Sequence, residues 1–300
     1  MPSTRFPYLA VAALLGATVS LALGTSFAKT LFPAVGPSGT VVLRLLFSTV
    51  LLTLAWRPWR YPLPRGRALA TIALYGVSIG AMNSCFYYSL RTIPFGIATA
   101  LEFLGPLAIA IAASRRRIDA LWVGLAFLGV VLLVPFKSNA ALNLAGVGFA
   151  LGAGACWAIY IFVGKRAASI ERGLSIPLGS LAAAIVVTPL ALVPRPEHLL
   201  ATSLLLPGVL VGLLSGAVPY SLEMFALRAL PKRTFSVLMS LDPAVNALAG
   251  FLFLGEHLGA LQWLAVASVM TASIGSAATT ATGPAAQRTP AARGDAPAPP

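Results

Sequence analysis

Four ionisable side chains stand inside long apolar runs of this sequence: Arg44, Glu102, Glu223 and Asp242. An ionised group at the centre of a membrane-spanning helix costs about 2.5–3.5 kcal/mol on insertion scales. Such groups are by default candidates for the path of an ion or a substrate. The four residues are therefore the first candidates for a site that binds protons or a polar solute.

Two of the carboxylates are tied to prolines that break a helix. Pro106 has no amide hydrogen for the carbonyl four residues earlier, which is the carbonyl of Glu102 itself. Pro243 likewise frees the carbonyl of Met239, and it pushes the backbone of the preceding Asp242 away from helical geometry. A carboxylate beside a free carbonyl suits an ammonium group or a transferred proton. The alternative is a structural kink whose carboxylate is neutralised by a neighbouring helix.

Arg44 and Glu223 each allow two interpretations. Arg44 can pair with a carboxylate, which is the simpler interpretation, or its forked donors can receive the carboxylate of an amino acid. Glu223 lies one turn from Tyr220 and Pro219. It is either a proton carrier or the partner of Arg44.

Other polar and aromatic side chains share helix faces in pairs spaced by three or four residues. The pairs are Asn83 with Tyr87, Trp157 with Tyr160, and Asp242 with Asn246. Such groups can line a cavity for a small solute, whereas the alternative for each aromatic is helix packing or anchoring at the lipid interface. We interpret Lys29 as a charge that snorkels to the membrane surface, and Gly152 and Gly154 as sites of close helix packing.

The helices that must position these residues are predicted by ten apolar segments, each long enough to cross a bilayer. Only 10% of the 300 residues are charged, against roughly 25% in a soluble domain, and the mean hydropathy is +0.88. The segments lie near 8–28, 38–56, 68–90, 95–114, 120–136, 145–164, 174–194, 204–227, 234–254 and 260–280. Their apolar runs are continuous and do not alternate, which excludes a strand barrel. The sequence therefore predicts an all-α membrane protein of ten transmembrane helices.

The distribution of Lys and Arg predicts the orientation of these helices. With the amino terminus inside, 16 of the 21 Lys and Arg lie in cytoplasmic loops and tails, four lie on the opposite side, and Arg44 lies within a span. An error of one in the number of spans would exchange the sides of all later loops. We therefore expect both termini in the cytoplasm, with residues 281–300 as a disordered cytoplasmic tail.

Composition and motifs argue against several other classes of protein. The net charge of +13 comes from scattered Lys and Arg without a basic face of stacking aromatics, so we expect no nucleic-acid partner. Cys85 and Cys156 lie within apolar runs and are interpreted as small buried hydrophobic residues. His198 and His257 lie between the runs, so no metal site and no cofactor are expected. The sequence has neither a His-Glu-x-x-His zinc motif nor an ATP-binding loop, which argues against a membrane enzyme and an ATP-driven pump.

The sequence also repeats a set of landmarks at an offset of 137 residues. Leu90, Arg91, Pro94 and Pro106 recur as Leu227, Arg228, Pro231 and Pro243. From the charge distribution, the first set lies on the outer side and the second on the inner side. This predicts two inverted five-helix repeats, residues 8–136 and 145–280, as in many secondary transporters. We expect the functional site where the two halves meet, near the middle of the bilayer.

Four stretches carry a resemblance to a known family: LGTSFAKTLFPAVGP (23–37), ALEFLGPLA (100–108), LGAGACWAIYIFVGKRA (151–167) and PYSLEMFALRALPKRTFSVLMSLDPA (219–244). The chain resembles the drug/metabolite transporter superfamily over about residues 20–280, in its ten-span branch with two EamA-type repeats. Within that branch it is most similar to the threonine/homoserine exporter family. One departure is Asp242, where this family usually has Glu. The resemblance implies efflux of hydrophilic amino acids coupled to the proton gradient, and it assigns no substrate contacts.

The residues and the resemblance together predict a secondary transporter in a bacterial inner membrane. Its partners are an amino-acid substrate, protons and the lipid bilayer, and it is a monomer or a homodimer. The first alternative is an exporter of the same superfamily for another metabolite or drug, such as an aromatic amino acid, a purine or an organic cation. The second alternative is a channel or a packing subunit without coupled transport.

Overall fold

The computed structural model describes residues 5–112, 118–133, 143–167, 170, 172–192 and 201–280. Regular secondary structure within these ranges is helical. The α-helices are α1 (Arg5–Thr30), α2 (Phe32–Trp56), α3 (Arg67–Ser89), α4 (Phe95–Glu102), α5 (Leu104–Ala112), α6 (Asp119–Leu133), α7 (Leu144–Ala167), α8 (Arg172–Leu192), α9 (Thr202–Gly212), α10 (Val218–Ala229), α11 (Lys232–Met239), α12 (Asp242–Leu254) and α13 (Ala260–Thr280). A 3₁₀ turn covers Pro58–Arg60, and a π-helical turn, Leu213–Ala217, joins α9 to α10. The predicted tail, 281–300, and the ends of three predicted segments, 113–114, 134–136 and 193–194, lie outside the described residues.

The helices have the length and composition of a membrane protein. Six stretches are long and apolar enough to cross a bilayer: Tyr8–Thr30, Phe32–Trp56, Arg67–Ser89, Leu144–Gly164, Thr202–Glu223 and Thr234–Leu254. Four shorter apolar helices cover Phe95–Ile109, Ala120–Gly129, Leu174–Leu190 and Ala260–Ser276. Large apolar side chains such as Leu121, Phe127 and Phe162 are exposed on the surface. A bilayer would cover them, because the lipid interior is itself apolar. The all-α membrane class is confirmed.

Two eight-residue helices, α4 and α11, begin and end in the same way. The residues before them, Pro94 and Pro231, have extended backbones with φ/ψ of −60°/148° and −56°/142°. Phe103 separates α4 from α5, and two residues, 240–241, separate α11 from α12. Pro106 and Pro243 fall in the first turn of the helices that follow, where a missing amide hydrogen is tolerated. Each break is thus followed closely by a proline.

The break near Asp242 differs in detail from the prediction. Asp242 is the first residue of α12, and Leu241 before it has φ −81° and ψ −14°. The expected departure of Asp242 from helical geometry was wrong, because the chain reorganises one turn before Pro243. Placing Asp242 in the first helical turn also sets its carboxylate near the amide ends of that turn, where a negative charge is favoured.

Close helix packing depends on small residues at several crossings. A Cβ on Gly24 of α1 would lie 2.6 Å from the backbone nitrogen of Ser215 in the π-helical turn. A Cβ on Gly154 of α7 would lie 2.7 Å from the carbonyl oxygen of Glu102 at the end of α4. The packing role predicted for Gly154 is therefore confirmed, whereas Gly152 has only an ordinary contact, 3.7 Å from Cys85 Sγ. Both cysteines are free thiols in partly buried positions.

The π-helical turn between α9 and α10 is held to α1 and α2 by hydrogen bonds. Within it, the amide of Val218 bonds to the carbonyl of Leu213, five residues back. This longer step leaves the neighbouring carbonyls without their usual helical donors. Ser20 Oγ of α1 donates to the carbonyl of Leu214 at 2.8 Å, and Ser48 Oγ of α2 donates to the carbonyl of Gly212 at 2.9 Å.

Lys29 does not snorkel freely as predicted, since it pairs with Glu256. The Lys29 Nζ lies 2.5 Å from Glu256 Oε1, and the other carboxylate oxygen accepts a bond from the amide of Phe95 at 2.7 Å. Gly255, with φ 65°, reverses the chain after α12, and the amide of Glu256 bonds to the carbonyl of Gly250. Glu256 thereby joins the end of α1 to the start of α4.

Candidate functional site

Arg44 of α2 is buried, with 6% of its surface exposed. Its Nη2 donates to the backbone carbonyl of Ser215 at 2.7 Å, and its Nη1 has a longer contact of 3.4 Å with the hydroxyl of Tyr87. Its Cζ lies 5.5 Å from the centre of the Tyr87 ring, within the range of a cation–π interaction. The predicted salt bridge between Arg44 and a carboxylate is not formed in the part of the chain that the structure describes, where the salt bridge is Lys29 with Glu256. Neutral groups thus hold the guanidinium.

The carbonyl of Ser215 is available to Arg44 because of Pro219. In a regular helix the amide of residue 219 would donate to the carbonyl of residue 215, and proline has no amide hydrogen. The guanidinium supplies the missing donor from another helix. The sequence predicted the same loss of a helical donor for the carbonyl of Glu102, four residues before Pro106. The corresponding carbonyl for Pro219, that of Ser215, was not considered.

Asp242 is bound by a hydroxyl of another helix. It has 4% of its surface exposed, and its Oδ1 accepts a hydrogen bond of 2.8 Å from Thr18 Oγ1 of α1. A hydrogen bond to an ionised carboxylate is stronger than one between neutral groups. Thr18 therefore holds the Asp242 carboxyl against α1, a contact that the sequence did not indicate.

Glu102 ends α4 with 8% of its surface exposed. The charges of Arg44 and Asp242 lie within electrostatic range of its carboxyl group. Its own carbonyl oxygen faces Gly154 of α7, where a Cβ would approach to 2.7 Å. The break after α4 thus places the Glu102 carboxyl near Arg44 while its backbone packs on α7.

Glu223 of α10 is partly buried. Asp242 and Arg44 lie within electrostatic range of it. The four ionisable residues predicted from the sequence therefore come together from α2, α4, α10 and α12. We call Arg44, Glu102, Glu223 and Asp242 the charged cluster.

Both predicted polar residues of α3 lie beside the charged cluster. Tyr87 is fully buried and contacts Arg44 directly. Asn83 donates from Nδ2 to the carbonyl of Ile79 at 2.8 Å, and its side chain also interacts with Tyr220. Tyr220 in turn lies within electrostatic range of Arg44. Asn83 therefore reaches the charged cluster through Tyr220.

Tyr160 of α7 stacks on Tyr75 of α3. The ring centres are 5.1 Å apart at an angle of 27°, and the two hydroxyls are 3.4 Å apart. Glu223 lies within electrostatic range of both tyrosines. Trp157 instead packs edge-on against Phe103, with ring centres 5.0 Å apart, so its role is helix packing at the break after α4.

Asn246 lies one turn after Asp242 on α12, with 4% of its surface exposed. Its Nδ2 donates to Thr99 Oγ1 of α4 at 3.0 Å. Its Oδ1 is buried and has no hydrogen-bond partner. The amide nitrogen of Asn246 is thus bonded to Thr99, and its amide oxygen is unpaired.

Four bonds of the site join the two parts of the chain that were predicted as repeats. Each pairs a residue of 8–136 with a residue of 145–280, and the pairs are Thr18 with Asp242, Arg44 with Ser215, Thr99 with Asn246, and Tyr75 with Tyr160. In the described ranges no group of three or more His, Cys, Asp or Glu side chains is placed to hold a metal ion. The donors and acceptors present suit a carboxylate, an ammonium group or a proton.

Four residues of the site were not predicted from the sequence: Thr18, Tyr75, Thr99 and Ser215. Ser215 could have been found, because it lies four residues before Pro219. The two threonines and Tyr75 carry no such signal, since single Thr and Tyr residues are ordinary inside an apolar run. Their roles follow only from helix packing.

Comparisons with known proteins agree on the class of molecule. Residues 144–277 match the EamA-like transporter family. The chain is 45% identical over 273 residues to the threonine/homoserine exporter RhtA of Escherichia coli (strain K12), which covers 91% of this chain and 92% of that protein. It is 25% identical over 225 residues to the uncharacterized transporter YwfM of Bacillus subtilis (strain 168), covering 71% of this chain and 72% of the other. A protein of known crystal structure, 17% identical, shares the fold with a TM-score of 0.58 over 92% of this chain and 98% of its own.

Proposed function

Because this chain belongs to the EamA-like transporter family of the drug/metabolite transporter superfamily and is an exporter and not an enzyme, we propose that its substrates are small hydrophilic amino acids. Threonine and homoserine are the first candidates, since a relative named for their export is 45% identical over 92% of its length. The observation that carries the proposal is the buried charged cluster. One guanidinium and three carboxyl groups are complementary to a molecule that carries both a carboxylate and an ammonium group.

Arg44 is the residue proposed to bind the substrate carboxylate. Its strong bond is to the carbonyl of Ser215, whereas its 3.4 Å contact with Tyr87 is long for a hydrogen bond. A substrate carboxylate can replace that weaker contact without disturbing the stronger one. Glu102, Glu223 and Asp242 then provide acceptors for the ammonium group or for a proton.

We propose ten transmembrane helices in two inverted repeats, 8–136 and 145–280, followed by a cytoplasmic tail, 281–300. The matching of α4 with α11 supports this, because each has eight residues, an extended proline before it and a break after it. The two helices also lie at the offset of 137 residues that relates the sequence landmarks.

The helix pairings give further support to the repeats. Helix α3 packs against α7, and α1 packs against α10. Likewise α5 packs against α7, and α1 against α12. In each of these two cases, replacing both helices of the first pair by their counterparts in the other repeat gives the second pair. Helices α2 with α8, and α6 with α13, pair with their own counterparts.

The proposed cycle is alternating access coupled to protons. The substrate binds from the cytoplasm where the halves meet, and a proton from outside binds a carboxyl of the charged cluster to drive the return. The membrane potential contributes about 2.3 kcal/mol per charge per 100 mV. Since about 1.4 kcal/mol is tenfold, one inward proton can sustain an outward gradient of roughly tens-fold for a neutral zwitterion.

The location proposed for this chain is the bacterial inner membrane, with both termini in the cytoplasm. The support is the excess of Lys and Arg in alternate loops. A reporter enzyme fused after residue 300 should be active only on the cytoplasmic side. A reporter that faces the periplasm would overturn the orientation and the inversion of the halves.

Efflux from proteoliposomes tests the proposed function. The full chain should export threonine from loaded vesicles with saturation and with a rate that depends on the proton gradient. The double variant Glu102→Gln/Asp242→Asn should lose this efflux while its expression persists. Glu256→Gln is the matched control, because it neutralises a carboxylate outside the charged cluster and should retain coupled efflux. Wild-type efflux in the double variant would refute the assignment of these two acids.

The same assay tests the substrate class and the mode of transport. A panel should include aromatic amino acids, a purine and an organic cation. Export of one of these in place of threonine and homoserine would overturn the proposed substrates. Flux that does not saturate and does not depend on the proton gradient would indicate a channel and overturn the exchange mechanism.

A further inference from the structure

The side-chain amide of Asn246 has an orientation that its neighbours fix. Thr99 Oγ1 donates its single hydrogen to the carbonyl of Phe95, 3.0 Å away on α4. The same oxygen can therefore act only as an acceptor toward Asn246. The amide must turn its nitrogen to Thr99, as it does at 3.0 Å, and its oxygen away. Flipping the amide would lose a hydrogen bond that the present orientation keeps.

The oxygen that is left over has no donor. Asn246 Oδ1 is buried and unpaired, on a residue with 4% exposure. Buried polar atoms in proteins nearly always have a partner, and leaving one without costs about 1–3 kcal/mol. A bound ligand that carries a hydrogen-bond donor could therefore supply the partner that this oxygen lacks.

Helix packing places this oxygen next to the charged cluster. A Cβ on Gly96 of α4 would lie 2.6 Å from the Cα of Ala247 on α12, so the two helices are in close contact there. Moving away from that contact along α4, Thr99 comes before Glu102. Moving away from it along α12, Asn246 comes before Asp242. Asn246 follows Asp242 by four residues on α12, a rise of about 6 Å. The separation matches the length of a small amino acid.

We propose that Asn246 determines specificity by accepting a hydrogen bond from the side-chain hydroxyl of the substrate. The inference rests on the proposed function and adds a recognition element to it. A substrate whose ammonium group lies at the carboxyl of Asp242 or Glu102 brings its side-chain hydroxyl within one helical turn, where Oδ1 lacks a donor. Thr99 is a positioning residue, because it holds the amide with its oxygen turned away from α4.

The test compares three ligands that differ only in a hydroxyl. Threonine and homoserine are both hydroxylated forms of 2-aminobutyrate, which has the same carbon chain and no hydroxyl. The full-length wild type in proteoliposomes should prefer the two hydroxy amino acids over 2-aminobutyrate in competition by roughly fivefold to tenfold, the contribution of one hydrogen bond. The variant Asn246→Leu, of similar volume, should bring this ratio to about one. Its affinity for 2-aminobutyrate should stay close to that of the wild type.

A second variant acts from the other helix and keeps the test decisive if Asn246→Leu fails to fold. Thr99→Val removes the acceptor that orients the amide and should reduce the preference for the hydroxyl, whereas Thr99→Ser should keep it. Ser26→Ala is the matched control, because Ser26 Oγ is also buried and unpaired but lies on α1. Its preference should equal that of the wild type.

The outcomes separate this inference from the proposed function. Efflux of threonine with a preference that Asn246→Leu and Thr99→Val leave unchanged would overturn the role of Asn246 and leave the function standing. An equal loss for all three ligands would assign Asn246 a structural role and also overturn the inference. If the wild type transports none of the three, the proposed substrate class fails, and the inference fails with it.

Discussion

The carbonyl of Ser215 allows a quantitative test of how the site is held together. Arg44 donates to it at 2.7 Å because Pro219 cannot. An alanine at position 219 would restore an amide at the position that donates to residue 215 in a regular helix. Removing the guanidinium should therefore cost more when residue 219 is proline than when it is alanine. The appropriate experiment is a double-mutant cycle with Arg44→Met and Pro219→Ala.

The expected coupling follows from the contacts. Arg44→Met in the natural background leaves the Ser215 carbonyl unpaired, which costs about 1–3 kcal/mol. In the Pro219→Ala background the new amide takes over as donor, so this loss is largely avoided. The removal of a buried charge and the change in proline content occur in both arms and cancel in the cycle. We expect a coupling free energy of about 1–2 kcal/mol, or roughly fivefold to thirtyfold in the folding equilibrium.

The measurement is the free energy of unfolding of the purified full chain in mixed micelles, followed by circular dichroism during titration with a denaturing detergent. Pro207→Ala is the matched control, since it changes a proline of the neighbouring helix α9. The carbonyl that Pro207 frees belongs to Ser203, so its combination with Arg44→Met should be additive. The reasoning would be refuted if the changes in unfolding free energy caused by Arg44→Met and by Pro219→Ala summed to that of the double variant within about 0.3 kcal/mol.

Two further predictions concern packing and the acid of α12. Gly154→Ala should reduce the free energy of unfolding by about 1–3 kcal/mol, because the new Cβ would lie 2.7 Å from the carbonyl oxygen of Glu102. Gly148→Ala, in the same helix with nothing within 4 Å, should stabilise by up to about 1 kcal/mol, and equal effects of the two alanines in detergent unfolding would contradict the packing argument. Thr18→Val should cost about 1.5–3 kcal/mol, because Asp242 loses a hydrogen bond of 2.8 Å, whereas Thr18→Ser should stay within about 0.5 kcal/mol. The same titration decides this prediction, and a valine as stable as the serine would show that the bond contributes nothing.

The sequence predicted those parts of the fold that depend on local chemistry. Pro94 and Pro231 were found as repeated landmarks, and each stands before an eight-residue helix. Apolar segments were found because a helix that faces lipid must be apolar along its whole length. The charged cluster was found because ionisable groups are costly in that environment.

Contacts between distant helices were beyond such an argument. Thr18 and Asp242 are separated by 224 residues, and no local pattern of either residue indicates the other. The pairing of Lys29 with Glu256 depends on the turn at Gly255, whose Leu-Gly-Glu sequence is too short to show which helix end it faces. Arg44 was expected to need a carboxylate, but a backbone carbonyl and a tyrosine satisfy it, because Pro219 makes that carbonyl available. The position of Pro219 identifies that carbonyl once the residue four positions earlier is examined.

The π-helical turn, Leu213–Ala217, sets the rotational register of the residues that follow it. A π turn accommodates one residue more than the same length of α-helix. If the same residues formed regular α-helix with no deletion, the extra residue would rotate all of α10 by about 100° about its axis. Tyr220 and Glu223 would swing from the protein interior toward a neighbouring surface, although every residue of α10 would keep its own identity. Deleting one residue of the turn should instead give regular α-helix and leave Tyr220 and Glu223 in their present orientation.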